Sequence, residues 1–389
     1  MRKKINATVF KEFFDSEKNG GIVLILCVVV SLLIANSGYA SNFSNLLTQS
    51  LGFNIGSTPI VYSVSAWIND GLMAIFFLLV GLEIKRELIE GELSTIKKAT
   101  LPVFAALGGI IIPATIYFIF NNGQATAKGW GIPMATDIAF ALAIVALLGK
   151  SIPASLKIFL AALAIVDDLG AISVIAIFYT NEIHWNYLYI AGGIIAILLL
   201  LNYFNVKSLW FYLIPGILLW YLVHHSGIHA TIAGVILAFT IPTNDTDEES
   251  PLEKLEHFLV KPVAFLIMPI FALANTNITF EKEMIMGLIS PLGLGIILGL
   301  FVGKTIGVSL FSWIAVKTKF AKLPSKADWK HILGIGMLAG IGFTMSIFIS
   351  LLSFVDPLHI AEAKFAILTA SVFSGAVGFF FLKFNASKR

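Results

Sequence analysis

Charge is scarce in this chain: only 13% of its 389 residues are Asp, Glu, Lys or Arg, whereas 58% are hydrophobic. A soluble domain carries about 25% charged residues. Too few polar side chains remain to coat a water-soluble globule, so lipid is the expected main solvent. Cysteine is almost missing. The single Cys27 excludes a disulfide framework within one chain and any cysteine-based metal centre. The net charge of +3 offers no electrostatic case for nucleic-acid binding. No stretch is polar enough for a separate soluble domain, and the longest connection between apolar runs is 41–59.

What is present is a series of long apolar runs. A bilayer core needs about 20 apolar residues per helix. Twelve candidate spans follow, near 21–37, 60–84, 99–120, 125–148, 153–179, 185–203, 208–222, 227–241, 255–275, 288–315, 331–352 and 360–382. The run 208–222 is short for a span. The fold class expected is an all-α polytopic membrane protein. It forms one integral-membrane domain over 1–389, with terminal tails at 1–20 and 383–389. Residues 1–20 mix basic and acidic side chains, so an uncleaved first span is expected; Gly38-Tyr39-Ala40 is the one signal-peptide-like cleavage site weighed against it. Of the 26 Lys and Arg, 22 fall on the side of the N-terminus. Lys128, Lys282 and Lys364 fall opposite, and Lys304 lies within a span. This asymmetry puts both termini in the cytoplasm.

Ionisable residues inside a bilayer are costly, so each is a functional candidate. Asp167 and Asp168 are the only charges between Lys157 and Glu182, Asp137 the only one between Lys128 and Lys150, and Lys304 the only one between Glu283 and Lys317. Adjacent helical residues point about 100° apart. One of the paired acids therefore faces a water-filled cavity and the other a partner. A small hard cation prefers oxygen ligands, so sodium or lithium and a proton would compete for the same carboxylates. The bland alternative is a structural Asp that caps a kink or pairs with a buried Lys.

Asp137 follows Gly131-Ile132-Pro133-Met134-Ala135-Thr136. Pro133 lacks an N–H and disturbs the helix, and broken backbone at membrane depth is tolerated where it lines a cavity or is buried in protein. Asp137 is read as offsetting the positive ends of half-helices. The Thr136 hydroxyl either ligates an ion or satisfies freed backbone. The charge-free run 331–352 holds Gly334, Gly336, Gly340 and Gly342, then Thr344. It reads as a second interrupted helix, with ordinary glycine packing as the alternative. The two interrupted spans are the middle members of triplets 3–5 and 10–12, the pattern of inverted repeats with crossing broken helices. Lys304, in span 10, is placed to neutralise Asp137, Asp167 or the dipole ends.

Several segments together resemble the NhaA family of sodium/proton antiporters. They are Trp67-Ile68-Asn69-Asp70-Gly71-Leu72-Met73, Val80-Gly81-Leu82-Glu83-Ile84-Lys85-Arg86-Glu87-Leu88, Ala135-Thr136-Asp137-Ile138, Ala164-Ile165-Val166-Asp167-Asp168-Leu169-Gly170, Gly227-Ile228-His229-Ala230-Thr231 and Leu255-Glu256-His257. The resemblance covers essentially the whole chain. It implies electrogenic, pH-regulated exchange of sodium or lithium for external protons across the bacterial inner membrane. It also implies that Asp168 is the principal ion ligand and Asp167 its partner, binding a proton or pairing with Lys304. Asp137 and Lys304 would balance the crossing helices. Glu83, Arg86, Glu87, Glu256 and His257 would form a pH-sensing region, with His229 linked to pH response and Asp70 at a cavity mouth. No cofactor is implied beyond the transported ions. The partners are membrane lipid and a homodimer mate, with 41–59 as its contact. Val260 stands where the family pattern has a second His after His257, which puts the pH profile in question.

Rival readings make different demands. A sodium-coupled solute symporter needs a larger polar pocket than a few carboxylates, one Lys and some Thr supply. An intramembrane aspartyl protease needs two acids face to face, which neighbours on one helix provide poorly. A channel needs a ring or filter sequence, and none is evident.

Overall fold

The computed structural model describes residues 7–55, 58–180, 182–244 and 249–386. Of the expected tails, residues 1–6 and 387–389 lie outside the described residues. Among the described residues the fold is helical apart from one hairpin. In chain order the elements are α1 (Ala7–Ala35), α2 (Ala40–Thr48), β1 (Ser50–Ile55), β2 (Thr58–Ser63), α3 (Val64–Ile89) and α4 (Ile96–Asn121). A 3-10 segment, Ala127–Met134, leads into α5 (Ile138–Leu147). Then come α6 (Ala154–Phe178), α7 (Trp185–Tyr203), α8 (Trp210–His225), α9 (Ile232–Thr240) and α10 (Pro251–Asn275). The last five are α11 (Lys282–Gly287), α12 (Pro291–Lys317), α13 (Trp329–Ala339), α14 (Phe343–Ser353) and α15 (Pro357–Ala386).

Among the described residues, eight helices are long and apolar enough to cross a membrane, or ten if two bent pairs each count as one span. The bends are 112° between the α1 segment Asn19–Ala35 and α2, and 44° between α13 and α14. The expected runs at 208–222 and 227–241 are helical but short. α9 has 9 residues, which at 1.5 Å per residue gives roughly 14 Å against a hydrocarbon core of about 30 Å. A count of twelve full-length spans is therefore not reached by helix length.

The expected span 60–84 begins differently. Residues 60–63 belong to β2, which pairs antiparallel with β1 in the register Leu51↔Tyr62 and Phe53↔Ile60. Ile60, Val61 and Tyr62 are β-branched or aromatic, suited to a pleated surface. The segment 41–59, expected as a plain connection, is thus α2 plus most of this hairpin. α10 begins earlier than its apolar run. Ser250 accepts from the Glu253 N–H and Glu253 reaches back to the Ser250 N–H, a capping box that starts the helix at Pro251.

Contacts divide the chain into two compact units. One comprises residues 22–86 and 176–279, with α2, the hairpin, most of α3, and α7 to α10. Within it Gly234 lies against the Ala74 carbonyl, and Lys85 Nζ donates to the carbonyls of Phe239 (2.8 Å) and Ile241 (2.5 Å) at the C-terminal end of α9. A cation on terminal helix carbonyls suits the helix dipole.

The other unit comprises 7–21, 87–175 and 280–386, with the start of α1, α4 to α6 and α11 to α15. It holds both triplets singled out by their Gly and Pro residues. Each triplet has one interrupted member. In the first, residues 135–137 are non-helical between the 3-10 segment and α5. In the second, 340–342 separate α13 from α14. α4 and α12 cross where Gly108 meets Gly307; a Cβ on either would strike the other's carbonyl.

Candidate functional site

The second unit gathers Thr136, Asp137, Asp167, Asp168 and Lys304, all at most 2% exposed. Asp137 is the N-cap of α5, and its Oδ1 accepts from the Phe140 N–H at 3.0 Å. Its Oδ2 accepts from the Thr344 N–H at 3.1 Å and from the Thr344 hydroxyl at 2.5 Å. One carboxylate therefore caps the first turns of two half-helices, α5 and α14. Both turns present unpaired N–H groups and a partial positive charge.

The other halves, the 3-10 segment and α13, end at the breaks in carbonyls. The Ser346 hydroxyl donates to the Ile132 carbonyl at 2.7 Å, and the Asp137 N–H donates to the Ile341 carbonyl at 2.6 Å. Thr136 Oγ1 lies 2.9 Å from the Ala339 carbonyl and 2.7 Å from Asp167 Oδ2. A hydroxyl carries one proton, so Thr136 donates to one of these oxygens at a time. Gly342 fits the break because a Cβ there would meet Ser346 Oγ.

Asp167 and Asp168 lie midway along α6. Lys304, directly after a π-helical turn over Gly299–Gly303, donates from Nζ to Asp167 Oδ2 at 2.5 Å. Both side chains of this ion pair are fully buried. Lys304 is thus paired with Asp167, not with Asp137. No hydrogen bond to Asp168 is made among the described residues, and its buried Oδ1, like Asp167 Oδ1, has no partner there. A buried carboxylate must be paired, protonated or bound to a cation. The protein supplies a pairing for Asp167 and, among the described residues, none for Asp168. The cluster's formal charge with all three acids ionised and Lys304 protonated is −2.

The residues expected as sensors do not form one group. In the first unit Arg86 Nε donates to both Glu256 oxygens at 2.9 Å, and Glu256 is buried. Glu83 is half-buried on the same stretch of α3. His257 faces away and contacts Glu249 at 2.6 Å, both side chains being exposed. The Glu87 carboxylate accepts from the Glu92 N–H at 2.8 Å. His229 Nε2 lies 3.5 Å from Asp70 Oδ1, and its Nδ1 contacts the Thr231 hydroxyl at 2.8 Å. Asp70 and Arg86 are 16 residues apart on α3, roughly 24 Å at 1.5 Å per residue. Asp70 sits in a second π-helical turn, Trp67–Leu72, whose Asp70 carbonyl accepts from Trp220 Nε1 at 3.0 Å. Such turns are often found at functional sites.

Ser346 was not singled out by sequence, and Thr344 was noted without a role. The usable signal was a polar pair just beyond Gly340 and Gly342 in a span without charge.

Comparisons with known proteins agree with one another. A family model described as Na+/H+ antiporter 1 matches residues 11–382. The chain is 61% identical over 392 residues to a Flavobacterium johnsoniae protein named Na(+)/H(+) antiporter NhaA 2, covering 100% of this chain and 96% of that one. It is 53% identical over 376 residues to the Na(+)/H(+) antiporter NhaA of Flavobacterium psychrophilum, covering 97% and 96%. Its fold is similar to that of the sodium proton antiporter MjNhaP1 from Methanocaldococcus jannaschii, with a TM-score of 0.55, 15% identity, and coverage of 97% and 98%.

Proposed function

Because the chain belongs to the Na+/H+ antiporter 1 family, we propose that it exports sodium or lithium from the cell in electrogenic exchange for external protons. It works in the bacterial cytoplasmic membrane, with both termini cytoplasmic, and serves sodium and pH homeostasis. It is a transporter, not an enzyme.

One observation carries the reading: among the described residues the buried Asp168 carboxylate has no hydrogen-bonding partner, beside an Asp167 whose Oδ2 is held by Lys304 and Thr136. Asp168 is the cation's principal ligand, with Thr136 and the Asp167 oxygens beside it. A cation held there is displaced by a proton, because both neutralise the same oxygen. Asp167 is the second proton carrier, releasing Lys304 when it is protonated. Asp137 holds the ends of α5 and α14 while the site loads. Charge counting supports electrogenicity: one sodium takes the formal −2 site to −1, whereas a proton on each of Asp167 and Asp168 takes it to zero. More protons than cations then move per cycle.

Regulation by pH is assigned to the Arg86–Glu256 pair with Glu83, Glu87 and His257, and to His229 with Asp70. A homodimer using the 41–59 segment completes the proposal. A sodium-coupled symporter is the alternative; an intramembrane protease is disfavoured by the neighbouring positions of the two acids on α6.

Everted membrane vesicles with an imposed pH gradient test the proposal. Sodium or lithium should dissipate the gradient and potassium should not. An absence of sodium-dependent proton movement from mildly acidic to alkaline pH would refute it. Proton movement that required an organic solute would favour the symporter.

A further inference from the structure

The loop between α12 and α13 is not used by the exchange site. With the adjoining helix ends it carries Lys317, Lys319, Lys322, Lys326 and Lys330 against one acid, Asp328. That acid is engaged: its Oδ1 accepts from the His331 N–H at 3.0 Å and contacts His331 Nδ1 at 2.7 Å. Lys317 lies over the Trp313 ring, 4.3 Å from its centroid. The other four are exposed, and none makes an ion pair among the described residues.

The loop connects two helices of the membrane region, so it lies at a membrane–water boundary. Exposed Phe320 and Trp329 flank the lysines. Aromatic rings of this kind sit at headgroup level. The loop is tied down: the Ser155 hydroxyl donates to the Ser325 carbonyl at 2.5 Å. Between the two segments so joined is an open cleft of about 480 Å³ lined by residues 151–155, among them the apolar Ile152, Pro153 and Ala154, and by Ser325 and Lys326. Its polar groups, the hydroxyls of Ser151, Ser155 and Ser325 and the Lys326 ammonium, form a donor set suited to a phosphodiester.

We infer that the 317–330 loop and the cleft beside Lys326 dock the headgroups of anionic phospholipids. Clusters of basic residues next to a membrane helix attract anionic lipid in this way. Free lysines supply the attraction, the aromatic pair fixes depth, and the cleft receives one phosphate. The inference does not depend on which ion the protein carries.

The test uses the full chain in detergent, stripped of lipid and given equimolar phosphatidylglycerol and phosphatidylcholine. Native mass spectrometry counts the lipids retained. The wild type should keep phosphatidylglycerol in preference. The Lys319→Gln, Lys322→Gln, Lys326→Gln triple variant should lose that preference by about tenfold or more, given the usual effect of three basic groups at a lipid surface. A control triple with equal charge loss, Lys97→Gln, Lys98→Gln, Lys254→Gln, should retain it. Circular dichroism checks that both variants fold. Unchanged retention in the loop variant, or equal loss in the control, would overturn the inference.

Discussion

Replacing Lys304 with Met removes the ammonium that lies 2.5 Å from Asp167 Oδ2 in a fully buried pair. Met fills a similar volume, so the main effect is electrostatic. Removing one partner of a buried pair costs about 3–5 kcal/mol, because the remaining charge is left without compensation. Asp167 would keep only the Thr136 hydroxyl, which also serves the Ala339 carbonyl. Lys304→Met should therefore lower the thermal unfolding midpoint of the purified protein clearly. Asp167→Asn in the same background neutralises the stranded charge, and replacing a whole buried pair is often neutral. The double variant should recover most of the lost stability, giving a coupling energy above ~1 kcal/mol in the double-mutant cycle. If Lys304→Met were as stable as wild type, or the two losses simply added, the pair would not bear the weight assigned to it.

Three further outcomes follow from the geometry. Ser346→Ala leaves the buried Ile132 carbonyl without its 2.7 Å donor, a loss of about 1–3 kcal/mol readable as a lower unfolding midpoint in detergent. Gly307→Val drives a side chain into the Gly108 carbonyl and should abolish stable accumulation of the protein, as seen by immunoblot of membranes. Arg86→Gln removes the Nε donor that the two oxygens of buried Glu256 share. It should displace the pH profile of exchange by at least about half a unit, since one unit corresponds to 1.36 kcal/mol of differential interaction. An unchanged profile in vesicles would remove that pair from regulation.

Much of the architecture is legible before any coordinates. The apolar runs mark the helices because lipid forces each span to be long and uncharged. The breaks near Pro133 and Gly340 are legible because those residues disturb the helix or leave room for another backbone. Asp137, Asp167, Asp168 and Lys304 stand out because a charge is costly at that depth. Their partners are less legible. That Lys304 meets Asp167 and not Asp137 depends on residues 137 positions apart. Thr344 and Ser346 become significant only once α14 is seen beside the break before α5. The π-helical turns at Trp67–Leu72 and Gly299–Gly303 leave no periodicity signal, and the capping box at Ser250 starts α10 in a polar turn that an apolar scan passes over. The hairpin was missed because Ile60, Val61 and Tyr62 read equally well as the start of a span.

The central claim is that cation and proton compete for the oxygens of Asp167 and Asp168. Exchange rates against pH at several sodium concentrations, for wild type and Asp167→Asn in proteoliposomes, address it directly. Competition predicts that lowering pH on the acidic side raises the sodium KM, approaching tenfold per pH unit for one competing proton. The maximal rate at saturating sodium should stay nearly constant, and Asp167→Asn should lessen the charge moved per sodium. A maximal rate that fell with pH while KM held steady would contradict the shared site.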